Sequence, residues 1–304
     1  IFITGGAGYC GSMIVPRLLD LGYKVTVYDT LFFGDDFLPK NNKDLKIVKG
    51  DIRNKEKFFS EVQGHDVVLS LACISNDASF ELDENLSTSI NLNAFEPMVK
   101  ASRDAGVKRF IYASSSSVYG VSEAKNVTED HPLVPLTLYN KYKGMCEPIL
   151  NSYGTQEFTV TTFRPATVCG YGPRLRLDLS VNILTNHAIT NNKITVFGGK
   201  QLRPNLDIRD YADACILFIQ SPHSKIHKEV FNVGYQNMSI MNIAKLVREV
   251  VLENFPEKKE INIITTESDD NRSYHINSDK IKNILGFTPK FSIKDAIESL
   301  LMHP

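Results

Sequence analysis

Tyr139-Asn140-Lys141-Tyr142-Lys143 sets a phenol and an ammonium one helical turn apart, so Tyr139 and Lys143 share one face of a helix. A phenol with its ordinary pKa of about 10 is a poor base at neutral pH. A neighbouring cation favours the phenolate and brings it into range for taking a proton from a hydroxyl. Upstream, Ser115 lies in Ala113-Ser114-Ser115-Ser116-Ser117-Val118-Tyr119-Gly120, just past an apolar strand pattern, where its hydroxyl can hold the reacting oxygen. Alone, Tyr-x-x-x-Lys is a common helical face and a serine run a common turn. Together they describe a base, a cation beside it and a hydrogen-bond donor to the same oxygen.

A base of this kind needs an acceptor for the electrons that leave with the carbon-bound hydrogen. Thr4-Gly5-Gly6-Ala7-Gly8-Tyr9-Cys10-Gly11 follows the first strand pattern and opens a helix. Gly5, Gly8 and Gly11 let the backbone turn tightly and approach a pyrophosphate, and the helix N-terminus supplies N–H groups and a partial positive charge. Asp29 ends the second strand, where a carboxylate accepts both ribose hydroxyls of a dinucleotide. It would repel a 2′-phosphate, and Thr30 offers no cation to hold one, so NAD is expected over NADP.

These groups must be carried by alternating strands and helices. Strand patterns fall at residues 1–4, 24–28, 45–48, 67–71, 109–113 and 159–163, and helical ones at 12–21, 84–105 and 138–153. Pro97 is expected to kink or break the 84–105 helix. Short apolar strands alternating with helices predict a doubly wound parallel α/β sheet (Rossmann) covered on both faces. After Arg164 the rhythm changes, with Pro and Gly clusters at 165–174 and 198–204 and helices near 180–190, 210–220, 238–253 and 290–301. The division expected is a dinucleotide-binding domain over 1–165, rejoined by a strand and helix near 205–235, and a smaller C-terminal substrate-binding lobe over 166–304.

The bulk properties narrow the partners. A formal charge of −1 gives no global attraction for nucleic acid or an anionic membrane surface, so an anionic substrate would have to be held by local cations. No apolar run approaches the roughly 20 residues needed to span a bilayer. Cys10, Cys73, Cys146, Cys169 and Cys215 form no metal-spaced pair and are expected as reduced thiols of a cytoplasmic protein. His65, His131, His187 and His275 are scattered, and no metal site is expected. No signal peptide precedes the first strand, and the opening Ile1-Phe2-Ile3 reads as a strand already begun, as if a few residues preceded it.

In this order, the features resemble the extended short-chain dehydrogenases, the nucleotide-sugar epimerase/dehydratase family, over nearly the whole chain. Gly50-Asp51-Ile52, Leu71-Ala72-Cys73, the segment INLNAF beginning at Ile90 and including Asn91, and Arg164-Pro165-Ala166-Thr167-Val168-Cys169-Gly170-Tyr171-Gly172-Pro173 match its further motifs. The INLNAF segment departs from the family pattern, with Ala94 and Phe95 where Gly-Thr is usual. The resemblance implies that Gly5, Gly8, Tyr9, Cys10, Gly11, Asp29, Asp51, Ile52, Leu71, Ala72, Cys73, Asn91, Ser114, Tyr139, Lys143 and Pro165 line NAD, with Asp51 against the adenine. It implies that Ser116, Thr167, Asn182, Phe197, Arg203 and Arg272 face a nucleotide sugar, the two arginines gripping its diphosphate through guanidinium forks. Thr167 stands where many epimerases carry Asn.

The chemistry then implied is oxidation of a sugar hydroxyl, at C4, to a keto sugar, with Tyr139 as base. Three outcomes follow: return of the hydride to the other face, loss of water, or release of the keto sugar. Family dehydratases carry Asp-Glu directly after the active hydroxyl, and Ser116-Ser117 here cannot do that work, which disfavours a 4,6-dehydratase. The stretches LACISNDASF and SSSSVYG most resemble a bacterial GDP-manno-heptose 4-dehydrogenase branch of the family. A non-catalytic NAD sensor of the same fold is the alternative of another class, and such proteins usually lose the Tyr or the Lys. The family implies a homodimer or higher homo-oligomer through the helices carrying Tyr139 and residues 91–105.

Overall fold

The computed structural model describes every residue except 76, 123, 125, 268–272 and 304. The first half alternates as β1 (Phe2–Thr4), α1 (Tyr9–Asp20), β2 (Val25–Asp29), β3 (Leu45–Lys49), α2 (Lys55–Val62), β4 (Val67–Ser70), α3 (Asp77–Glu81), α4 (Glu84–Thr88), α5 (Phe95–Asp104), β5 (Arg109–Ala113), α6 (Leu138–Tyr153) and β6 (Thr159–Pro165). The second half runs β7 (Thr167–Cys169), α7 (Ser180–Asn191), β8 (Lys193–Phe197), β9 (Leu202–Asp207), α8 (Ile208–Gln220), α9 (His223–Ile226), β10 (Glu229–Val233), β11 (Gln236–Ser239), α10 (Ile240–Asn254), β12 (Asn262–Thr266), α11 (Asp279–Leu285) and α12 (Ile293–Leu301).

Seven parallel strands form the main sheet in the order β10-β6-β5-β4-β1-β2-β3. Strand order reverses between β1 and β4, which opens a crevice at their carboxyl ends where doubly wound folds bind ligands. The central strands β1, β4 and β5 are largely apolar along their length because both faces are covered, while the edge strand β3 exposes Lys46 and Lys49. One face packs Ile3, Val27, Leu69, Ile111 and Phe163 against α1 and α8, and the other packs Phe2, Tyr28, Val68 and Phe110 against α2, α5 and α6. A C-terminal lobe has its own core of Val181, Ile194, Val196, Ile243, Val247 and Ile297, beside the three-stranded β11-β9-β7 sheet and the β12-β8 pair.

The expected long helix over 84–105 is two helices, α4 and α5, separated by a π-helical turn at Ser89–Asn93. Pro97 causes no break. It sits in the first turn of α5, where its missing N–H would have had no intrahelical acceptor. α1 begins at Tyr9 rather than at 12, immediately after the glycine-rich turn. That early start brings the N-terminus of α1 to the crevice. α2, α6, α8, α10 and α12 each take a side-chain cap, from Asn54, Thr137, Asp207, Ser239 and Ser292. Gly8 gives α1 none, and its first turn holds no acidic residue.

Candidate functional site

The uncapped N-terminus of α1 and the glycine turn before it form one wall of the crevice. The first N–H groups of a helix lack intrahelical acceptors and carry partial positive charge, so they suit an anion. Gly5 has φ +71°, and a Cβ there would lie 2.7 Å from the Ala72 amide nitrogen, so only glycine lets β4's outgoing chain lie this close. The Asp29 carboxylate is held at the end of β2 by two backbone donors, Ala7 N at 3.0 Å and Leu31 N at 2.9 Å. It is half-buried beside the turn. The residues present thus fit a dinucleotide, with donors for its diphosphate and a carboxylate for its ribose. Leu71 N and Ala72 N donate to Thr4, through its carbonyl at 3.1 Å and its hydroxyl at 3.3 Å, which fixes the opposite wall. Asn91, in the π-helical turn, brackets that wall with a reciprocal pair of 2.8 Å bonds to the Ile74 N–H and carbonyl.

The expected catalytic residues converge at the carboxyl end of β5. Ser115 leaves β5 and caps a short 3₁₀ turn, Ser116–Tyr119, accepting from Ser117 N at 3.1 Å. Its hydroxyl also lies 2.6 Å from that of Ser117, which in turn donates to Asn140, the neighbour of Tyr139. Tyr139 stands in the first turn of α6, and Lys143 follows one turn on, buried, its Nζ donating to the Ala113 carbonyl at 2.7 Å. Lys143 therefore joins α6 to the strand that delivers Ser115.

The protein surroundings act on the Tyr139 pKa chiefly through burial. Burial pushes the phenol well above its ordinary value, and the Cys73 thiol, Asp77 and Tyr274 push the same way. The cation that most opposes them is the guanidinium of Arg176. The ammonium of Lys143 is turned onto the Ala113 carbonyl and lies 5.1 Å from the Tyr112 ring centroid.

Behind the site lies a buried polar cluster. Arg164 in β6 holds Glu147 through two bonds, 2.6 Å from Nη2 and 3.0 Å from Nε, with both side chains under a tenth exposed. Ser114 Oγ donates to the same carboxylate at 2.6 Å. The guanidinium also donates to Tyr119 Oη at 2.7 Å, and that hydroxyl donates in turn to the Asn232 side-chain carbonyl in β10 at 2.7 Å. Tyr139, Lys143 and Glu147 are spaced at successive fours on α6, so one helix face runs from the chemistry to this anchor.

Other expected site residues take varied places. Ser114 spends its hydroxyl on Glu147 instead of turning it to the crevice. Asp51 is drawn to the surface by Arg53, which holds its carboxyl below the ordinary range, while Ile52 is buried. Tyr9 is buried, its hydroxyl donating to Gly170 O at 2.6 Å, and the half-buried Cys10 thiol is pushed up to about 12 by burial. Cys73 and Pro165 are half-buried at the ends of β4 and β6. Asn182 commits its amide to backbone, accepting from Gly170 N at 2.9 Å and donating to Arg176 O at 2.8 Å. Ser116 faces the Tyr274 hydroxyl at 3.5 Å. Thr167 pairs with Asn205, two residues from the buried Arg203, whose Nη1 donates to Leu202 O at 3.0 Å. Phe197 is 59% exposed at the end of β8. Arg272 lies outside the described residues.

Sequence reasoning passed over Arg174, Arg176 and Glu147. Glu147 had a signal in its spacing from Lys143; the two arginines had none beyond their charge.

A doubly wound sheet with an uncapped helix N-terminus, a strand-end Asp and a Ser-Tyr-Lys set defines a dinucleotide-dependent enzyme. The chain belongs to the NAD dependent epimerase/dehydratase family, which it matches over residues 1–234, and NAD is its cofactor. Among relatives, it is 27% identical to human dTDP-D-glucose 4,6-dehydratase over 99% of this chain and 88% of that protein. It is 25% identical to UDP-glucose 4-epimerase of Corynebacterium glutamicum over 95% and 91% of the two chains. The structure of UDP-glucuronic acid 4-epimerase from Bacillus cereus, in complex with UDP-glucuronic acid and NAD, superposes with a TM-score of 0.86 at 25% identity, covering 98% of this chain and 96% of that one.

Proposed function

We propose that this protein oxidises a hydroxyl, at C4, of the sugar of a nucleotide sugar, acting as a 4-dehydrogenase or 4-epimerase, with a GDP-heptose as the candidate substrate. The observation that carries this reading is the convergence of Ser115, Tyr139 and Lys143 at the carboxyl end of β5, beside the cofactor crevice. NAD, when bound, supplies the hydride acceptor. Tyr139 takes the proton from the sugar hydroxyl, and Ser115 holds that oxygen through a hydrogen bond. Lys143 fixes α6 to β5 so that the phenol and Ser115 keep their spacing. Arg203, on the lobe, is the cation for the diphosphate, with Arg272 as its companion; Thr167 and Ser116 face the sugar, and the lobe is the substrate-binding half.

Elimination of water is the weaker reading. It needs an acid and a base near C5 and C6, and the positions after Ser115 hold two buried serines, one committed to Asn140 and the other facing Tyr274. The GDP-heptose assignment rests on the resemblance of LACISNDASF and SSSSVYG, and a homodimer through α5 and α6 on the family's habit.

Incubation with a panel of nucleotide sugars, followed by mass spectrometry and near-ultraviolet absorbance, tests the reading. An epimerase returns an isomer of unchanged mass with oxidised cofactor. A 4-dehydrogenase accumulates bound reduced cofactor and stalls until a keto acid such as 2-oxoglutarate is added. A product lighter by one water would overturn the proposal, and so would failure to convert any sugar by a protein that binds NAD.

A further inference from the structure

The segment 170–178 leaves β7 and crosses the N-terminus of α1. Its backbone is pinned along its length: Gly170 by Tyr9 and Asn182, Tyr171 N by Ser299 Oγ at 3.0 Å, Arg174 N by Ser12 Oγ at 3.3 Å, and Arg176 O by Asn182. From this fixed backbone two guanidinium groups reach to opposite sides of the crevice. Arg176 Nη1 donates to Ser75 Oγ at 2.7 Å, on the wall that follows β4, while Asp178 holds the rest of its head. Arg174 lies 3.7 Å above the ring centroid of Phe33, in the loop that follows β2. Because β1 lies between β2 and β4, the two contacts together bridge the mouth of the crevice.

The Phe33 end is the unusual one. Phe33 is 62% exposed, and beside it Phe32 is 84% exposed. The turn that presents them starts at Leu31, whose φ of 55° lies in the left-handed region that disfavours leucine. Asp29 holds that turn through Leu31 N. Asp29 and Arg174 also attract each other electrostatically. Arg174 makes no ion pair among the described residues, so its charge is spent on an aromatic face beside the expected ribose site. Strained turns that persist against local preference cluster at ligand clamps.

We propose that 170–178 is a strap across the cofactor crevice, bolted by the Arg174–Phe33 contact, and that this bolt sets how slowly NAD leaves. With the bolt closed, the adenosine half of the dinucleotide is covered by Phe33 and Arg174 while Arg176 closes the far side. Release then requires the guanidinium to lift from the ring. The inference rests on NAD as cofactor and is independent of the sugar oxidised, so either can fail alone.

The test measures dissociation of radiolabelled NAD from the full-length protein during a chase with excess unlabelled NAD, with no sugar present. A cation–π contact at an exposed site predicts that Phe33→Ala and Arg174→Ala each speed release by about 2- to 5-fold. The double variant releases no faster than the faster single one, since both substitutions remove the same contact. Phe33→Trp, which keeps an aromatic face, releases NAD at the parent rate. Both residues are on the surface of the fold, and circular dichroism verifies that the variants are folded. Release within twofold of the parent in either alanine variant overturns the proposal, as does a double variant whose two effects multiply.

Discussion

Replacing Arg164 by Met tests the buried cluster that fixes α6 beneath the active site. The change keeps an unbranched, flexible stem but leaves the Glu147 carboxylate, whose side chain is 7% exposed, with only the Ser114 hydroxyl as a close partner among the described residues. Removing one partner of a buried ion pair typically costs about 3–5 kcal/mol, most of it the cost of the charge left behind. Unfolding entropy of about 2.1 cal/mol/K per residue gives roughly 0.6 kcal/mol per degree for a chain of 304 residues. The expected fall in Tm is therefore about 5–8 °C by scanning calorimetry. The double variant Arg164→Met, Glu147→Leu removes both charges, and apolar replacement of a buried pair is often neutral. It should regain about 1–3 kcal/mol of the loss, short by about 1 kcal/mol for each hydroxyl, Ser114 and Tyr119, left without its charged partner. A fall under about 2 °C for the single variant would refute the reasoning, as would a double variant that loses the sum of the two single losses.

Four further outcomes are expected. Titration should show NAD binding far more tightly than NADP, with Asp29→Ala narrowing the gap; equal affinities in the parent would remove the role given to Asp29. Tyr139→Phe should lower kcat by about 10²–10⁴-fold with NAD binding intact, and Ser115→Ala should lower it less; full activity in Tyr139→Phe excludes the phenol as base. Arg203→Ala should raise the substrate KM about 10- to 150-fold, the range for losing a charged hydrogen-bond partner, while a normal KM would place the diphosphate elsewhere. Because the base acts deprotonated, kcat/KM rises with pH through the phenol's titration. Arg176→Gln removes the cation that pulls the Tyr139 pKa down, so the rising limb should move to higher pH; a shift to lower pH would contradict the electrostatics.

Local signals were legible where one element carries them. The α6 boundaries and β5 follow directly from apolar patterns ended by turn residues, and the glycine turn with Asp29 marks the crevice in the sequence itself. What escaped depends on pairing between distant elements. Nothing near Arg164 says that its partner is Glu147, and nothing in Gly172-Pro173-Arg174 says that the arginine will find Phe33 across the crevice. The break in the 84–105 helix was expected at Pro97 because proline is the visible breaker. The π-helical turn falls instead where Asn91 must reach Ile74, a tertiary demand that helical periodicity cannot register.

The position of β10 has a consequence for how the chain is made. β10 is the outermost strand of the main sheet, beside β6, yet it is separated from β6 in sequence by β7 to β9 and by α7 to α9. During synthesis, β6 must wait as an open edge, ready to pair with whatever strand it meets, until some sixty residues more have emerged. Asn232, which receives the Tyr119 hydroxyl, arrives only with β10, so the polar cluster under α6 stays incomplete over the same interval. A nascent chain stopped within the lobe therefore exposes a sticky strand and an unfinished polar interior together. Arrest there should yield aggregates rather than a free-standing nucleotide-binding half.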